Sequence, residues 1–197
     1  MRFAGAPLLF ALLVPGVIFG QEAVGPVQVE MRTELGVILL ELYPTQAPNT
    51  VGNFLSYVDG GFFDGGTFHR TVHDRNQPND SITISVIQGD IAQDRRRDRA
   101  GAIALERTSE TGLKHLDGTV SMARSGPDTA TSSFFICIDD QPELDYGGRR
   151  NPDGQGFAAF GVVLEGMDVV RAINRSPAEG QTLSPQIRIL EVRRIGS

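Results

Sequence analysis

The sequence predicts a mainly β domain, either a sandwich or a closed barrel with helical plugs. Three observations lead there: many short runs in which apolar and polar residues alternate, clusters of Gly, Pro, Asn and Asp between them, and only two segments with helical periodicity. The 197 residues are 40% apolar and 21% charged, enough to bury the core of one domain rather than two.

Residues 27–43, VQVEMRTELGVILLELY, alternate on both sides of Thr33-Glu34-Leu35-Gly36 and predict a strand hairpin. The period then changes. In APNTVGNFLSYVDGG, Asn49 or Thr50 is a candidate N-cap, Val51, Phe54, Leu55 and Val58 fall at helical spacing, and Gly60-Gly61 is the stop. Short β-like runs follow at 67–72, 82–88, 118–123, 133–138 and 157–164. A second helix is predicted over 166–173, with Met167, Val170 and Ile173 inward, before a last strand at 187–195.

Residues 1–20, MRFAGAPLLFALLVPGVIFG, follow another logic. One early cation, an apolar run centred on 8–14 and a small residue before polar Gln21 predict a secretory signal peptide, with 21–197 as the mature domain. The expectation is export to the periplasm or the extracellular space, with no membrane attachment after cleavage. The removed segment holds one Arg and no acid, so the formal charge of −6 becomes −7. That acidity argues against a general nucleic-acid binder, which needs a basic face for phosphates. Cys137 is the only cysteine, so no intrachain disulfide is available; within FFICI it reads as a small buried hydrophobe.

Candidate chemistry is sparse. His69 and His73 lie four apart, a metal-ligand spacing on a helix, but in a strand-like segment four residues span about 13 Å and one ion cannot bridge them. The run Asp94-Arg95-Arg96-Arg97-Asp98-Arg99 interleaves both signs and reads as a solvated loop. Residues 147–156, GGRRNPDGQG, lack the Gly-Lys-Ser/Thr of a phosphate cradle and read as a surface loop with turn chemistry. No Gly-x-Ser-x-Gly elbow is present. There remains GTFHRT, residues 66–71, an arginine with no evident acid, base or nucleophile to serve.

Four segments taken together give that arginine a context: Phe68-His69-Arg70, Val86-Ile87-Gln88-Gly89-Asp90, GTVSMARSGPDTATSSFF at 118–135, and Phe160-Gly161-Val162-Val163 leading into Glu165-Gly166-Met167. In this order they resemble the cyclophilins of the bacterial type, peptidyl-prolyl cis-trans isomerases, from about residue 27 to 195. The resemblance implies a closed eight-stranded antiparallel barrel capped by two helices, an enzyme without cofactor or metal, a monomer, and substrates that are proline-containing peptides and unfolded polypeptides. It implies Arg70 as the catalytic residue, Gln88 as a holder of peptide and arginine, and Phe135, Leu144, Val86 and Ala123 as the apolar proline pocket. His69 falls at a rim position, Arg124 at a position that acts largely through its backbone, and Phe157 where the family has a histidine or tyrosine. Ser85 and Ser133 depart from a family phenylalanine and glutamine, and Glu143 falls near a tryptophan of many eukaryotic members. Those departures open a second class of function: a proline-peptide binding module on the same barrel with little turnover.

Overall fold

In the computed structural model, which describes residues 25–196 together with Met1, the predicted hairpin is formed by β1 (Val27–Thr33) and β2 (Gly36–Leu42). Its register runs from Val27 opposite Leu42 to Thr33 opposite Gly36. Alternation decides the faces: Val29, Met31, Ile38, Leu40 and Leu42 are fully buried, and the residues between them are not. Gly36, at φ +143°, turns the chain where a Cβ would press on Val169 at 2.7 Å. The predicted signal peptide lies outside the described residues, Met1 excepted.

Helix α1 (Pro48–Asp59) buries Val51, Phe54, Leu55 and Val58 as the periodicity predicts. Its cap differs from expectation. Ala47 is the N-cap residue and makes no side-chain bond, and the carboxylate of Glu106 accepts from the backbone N–H of Asn49 (3.0 Å) and Thr50 (2.8 Å). The first-turn donors are satisfied from a distant loop, which also places a negative charge at the positive end of the helix.

The remaining strands are β3 (Thr67–Val72), β4 (Val86–Asp90), β5 (Thr119–Met122), β6 (Phe134–Cys137), β7 (Ala159–Glu165), the two-residue β8 (Ala178–Glu179) and the long β9 (Thr182–Ile195). Between them lie the one-turn α2 (Thr108–Thr111) and α3 (Met167–Asn174). All pairings are antiparallel, in the order β1-β2-β7-β5-β6-β4-β3-β9, and β9 returns to β1 to close the eight-stranded barrel. Closure leaves no sheet edge in the barrel; β8 is a small flap on β9. Of the two readings open from periodicity alone, the barrel is the observed one.

The interior is filled by Phe54 from α1, Phe63, Phe68, Phe134 and Phe160, whose rings meet at centroid distances of 5.0–5.7 Å. α3 closes the barrel with Val170 and Ile173 and adds a polar anchor, Asn174. The Asn174 amide donates to Thr71 Oγ1 (2.9 Å) and to the Val72 carbonyl (3.1 Å), and Thr71 Oγ1 donates to the Asn174 carbonyl (2.9 Å). These buried bonds fix β3 immediately after Arg70. Among the described residues, no helix is long and apolar enough to cross a membrane.

Candidate functional site

A second, smaller apolar cluster lies on the outer face of the barrel: Val72, Ile84, Val86, Phe135, Cys137 and Leu144, with Ala123 and Phe157 packed against it. Strand alternation creates it. Phe134 and Ile136 point inward while Phe135 and Cys137 point outward; Ile87 and Gly89 face in while Val86 and Gln88 face out. Gly89 is required there, because a Cβ would meet the Phe134 ring at 2.9 Å and Phe68 at 3.2 Å.

Alternation alone would send Arg70 to the same face as Phe68, into the core. A β-bulge prevents this. Phe68 pairs with Gly89 and Arg70 with Gln88, so two steps on β3 oppose one on β4, and His69 is the extra residue. The bulge turns Arg70 outward and sets Arg70, Gln88 and Phe135 side by side on three adjacent strands.

The guanidinium is held on both sides. Its Nη1 donates to Gln88 Oε1 at 2.9 Å, while Nε and Nη2 both donate to Gln181 Oε1, at 3.0 and 2.6 Å. Gln88 is fixed in turn by its Nε2, which donates to Ser133 Oγ at 3.0 Å. Every acceptor is a neutral amide oxygen, so the arginine is oriented without having its charge cancelled. Burial, and after it the nearby Arg150, draw its pKa below the ordinary value, with Asp80 opposing; the group stays protonated.

Arg70, Gln88, Val86, Ala123, Arg124, Phe135, Leu144 and Phe157 all line one open cavity of about 430 Å³. His69 does not. As the bulge residue it lines a separate depression with Thr67, Arg96 and Gln186, and this corrects its predicted place on the rim. The apolar wall expected at Ser85 is supplied one residue earlier by Ile84, buried beside Val72 and Val86. Ser133 keeps the glutamine in place through the bond just described. The two serines behind the binding-module alternative therefore leave the cavity's wall and its polar support intact.

Two loops form the rim, one of them 147–156, read from the sequence as surface chain. Arg124 Nη1 and Nη2 donate to the Asp153 carboxylate (2.7 and 2.9 Å), and Nε to the Gly156 carbonyl (2.7 Å), with the guanidinium carbon 5.0 Å from the Phe157 ring centre. The Arg124 bond, aided by the Gln155 N–H, holds the Asp153 carboxyl down to about 2. Arg150 Nη1 crosses to the other loop and donates to Asp80 Oδ2 (2.9 Å) and the Ile82 carbonyl (2.7 Å). Gln181, which holds Arg70, and the lining residues Asp80, Ile84, Arg150 and Asn151 are the site residues that sequence reasoning missed.

Behind Phe135, and closed to solvent, His115 stacks parallel to the ring at 5.9 Å. Its Nδ1 is 2.8 Å from Asp145 Oδ1 and its Nε2 is 2.9 Å from Ser121 Oγ. Burial lowers the His115 pKa, and the Asp145 bond opposes this. A neutral ring that donates from Nδ1 and accepts the serine proton at Nε2 satisfies all three groups. With Ser121 fully buried, this arrangement braces the pocket wall and is not a nucleophile for substrate.

Comparison with known proteins bears directly on this cavity. The family described as cyclophilin type peptidyl-prolyl cis-trans isomerase/CLD matches residues 28–194. A peptidyl-prolyl cis-trans isomerase of Acinetobacter baylyi is 37% identical over 168 residues, covering 85% of this chain and 82% of that protein. Peptidyl-prolyl cis-trans isomerase B of Escherichia coli is 33% identical over 146 residues, covering 74% of this chain and 82% of that protein. Among solved structures, a cyclophilin-type isomerase of Cryptosporidium parvum matches with a TM-score of 0.69 at 21% identity, over 88% of this chain and 99% of that one. At that identity the structural match speaks for the fold.

Proposed function

Because the chain belongs to the cyclophilin-type peptidyl-prolyl cis-trans isomerase family, we propose that the outer cavity is where it isomerises X–Pro bonds, with Arg70 as the catalytic residue. The reaction has a barrier of about 18–20 kcal/mol because amide resonance must be broken, and no proton needs to move. As the bond twists, the prolyl nitrogen becomes pyramidal and regains a lone pair. A guanidinium N–H accepted by that lone pair stabilises the twisted state and not the planar ones.

The observation that carries the reading is the Arg70 guanidinium held by Gln88 and Gln181 beside the apolar wall of Val86, Phe135 and Leu144. The donor is positioned before substrate arrives, so little reorganisation is left for the reaction itself. The apolar wall takes the pyrrolidine ring, and Gln88 holds the peptide as well as the arginine. An isomerisation assay on a proline peptide tests the assignment. Arg70→Ala should lose about 10²–10³ in turnover, the cost typical of one preorganised donor, while unfolding like the parent protein. Unchanged catalytic efficiency would remove Arg70 from the mechanism.

The physiological substrates in this proposal are extended or unfolded polypeptides met outside the cytoplasm, where the protein assists folding as a monomer. Arg2 and the apolar run after it support export. N-terminal sequencing of protein recovered from the cell envelope or medium should start near Gln21; a chain still beginning at Met1 refutes cleavage.

A further inference from the structure

Three arginines line the cavity, and they differ in the donors left to them. Arg70 is turned to the reacting bond. Arg124 has all three guanidinium nitrogens bonded to Asp153 and Gly156, and its side chain is 1% exposed. Arg150 is another matter. Its Nη1 carries both the Asp80 and the Ile82 bonds, and its backbone N–H donates to the Glu143 carbonyl at 3.1 Å. Among the described residues nothing is bonded to its Nε or Nη2, and its side chain, 17% exposed, belongs to the cavity wall rather than to bulk solvent.

The cavity is thus locally cationic in a chain of net charge −6: its lining holds three arginines, and with Arg124 paired to Asp153 and Arg150 to Asp80, the charge of Arg70, held only by neutral amides, is left uncompensated. Arg150 also lies near enough to Arg70 for their charges to be felt mutually. A carboxylate entering beside the proline would be attracted by both, whereas an ammonium would be repelled by both; selectivity built from attraction and repulsion together is sharper than from either alone. The bond to Asp80 fixes the stem of Arg150 without covering the rest of its fork, and a planar fork held in a partly desolvated wall suits a carboxylate.

We infer that Arg150 is a specificity-determining residue, selecting proline peptides that carry an acidic side chain next to the proline. This rests on the cavity of Arg70 being the proline site. The position of Arg150 in the same cavity as Arg70 and Phe135 ties the preference to an immediate neighbour of the proline, and Asp80 moderates it by sharing Nη1.

The test compares kcat/KM for matched peptides with Glu, Gln or Lys on either side of the proline. The parent protein should favour Glu over its neutral isostere Gln by about tenfold at one of the two positions, mainly through KM, with Lys poorest. Raising the salt concentration should shrink that ratio. Arg150→Gln should bring the Glu/Gln ratio to near one, Arg150→Lys should keep part of it, and Asp80→Asn should increase it. Because each ratio is taken within one variant, a general loss of activity does not mimic the effect. A Glu/Gln ratio near one at both positions in the parent protein, or a ratio that survives Arg150→Gln, overturns the inference. Arg70→Ala separates the two levels: full turnover on the Gln peptide refutes the placement of the proline site, whereas lost turnover alongside a flat Glu/Gln series refutes only the selectivity.

Discussion

Phe134 and Phe135 are neighbours in β6, yet they belong to different parts of the molecule. Phe134 is fully buried in the barrel and meets Phe54, Phe63 and Phe68 edge-on or nearly so. Phe135 stands on the outside, stacked on His115 and set edge-on to Phe157, in a wall that opens to the cavity. The same strand backbone serves both. What the pair teaches is that this fold separates stability from chemistry by side-chain direction alone: one face of β3, β4 and β6 packs the core, and the other presents Arg70, Gln88 and Phe135.

The sharpest way to break that contrast is to remove each ring in turn. Phe134→Ala should cost about 3–5 kcal/mol of stability, because its site is enclosed by rigid aromatic neighbours that cannot collapse into the hole. Chemical denaturation measures it. Phe135→Ala should show a smaller shift of the unfolding midpoint, but a loss of about ten- to a hundredfold in kcat/KM, the worth of burying one large apolar surface against the proline ring. Equal stability costs for the two rings, with activity spared in Phe135→Ala, would erase the distinction.

A smaller effect sharpens the polar half of the site. Gln181 orients Arg70 without cancelling its charge, so Gln181→Glu, which keeps the shape and adds a stronger partner, should lose about tenfold in kcat while leaving thermal stability equal or higher. A residue with a merely structural role would show no such opposition between stability and turnover.

The smallest effect is a pH dependence. The folded-state pKa of His115 lies below its unfolded value, mainly through burial, so its contribution to stability is complete above about pH 6.5 and is lost as pH falls toward the folded pKa. His69, lowered by burial as well, adds in the same direction. Asp145 is also lowered: burial pushes it up, but the hydrogen bonds from His115 outweigh this, and its contribution fades only at more acidic pH. The thermal midpoint should therefore fall between pH 7 and 5, and His115→Gln should flatten part of that slope. An identical slope in the variant would show that His115 is not the group involved.

Much of this organisation was legible in the chain, because periodicity reports which side of a strand or helix is dry. The β1–β2 hairpin, the inward residues of α1 and the strand at β3 are direct readings of alternation and helical spacing. What escaped was tertiary. Gln181 is 111 positions from the arginine it orients, and it precedes a strand that begins at Thr182 rather than at the predicted 187. Asp80 and Arg150 sit in segments rightly read as loops; only folding brings those loops together across the cavity. Ile84 was missed by one position because the long connection before β4 leaves the strand start undefined, and β4 begins at Val86 where 82 was predicted. Glu106, the cap of α1, comes from 56 residues beyond the Thr50 N–H it accepts.

The bulge at His69 makes the site a matter of parity. Direction along a strand is binary, so whether Arg70 meets substrate or the interior depends on an odd or even count of residues back to Phe68. Loops around the cavity, such as the connection between β3 and β4, can change length, because an extra loop residue moves nothing that is paired. Between Phe68 and Arg70 the even count by itself would turn both side chains inward, and the unpaired His69 is what reverses this; losing one residue there together with the bulge would restore plain alternation and leave Phe68 inward and the arginine outward. Length variation in this protein is thus tolerable in its connections, whereas beside its central arginine it must be matched by the presence or absence of the bulge, a constraint of counting rather than of chemical type.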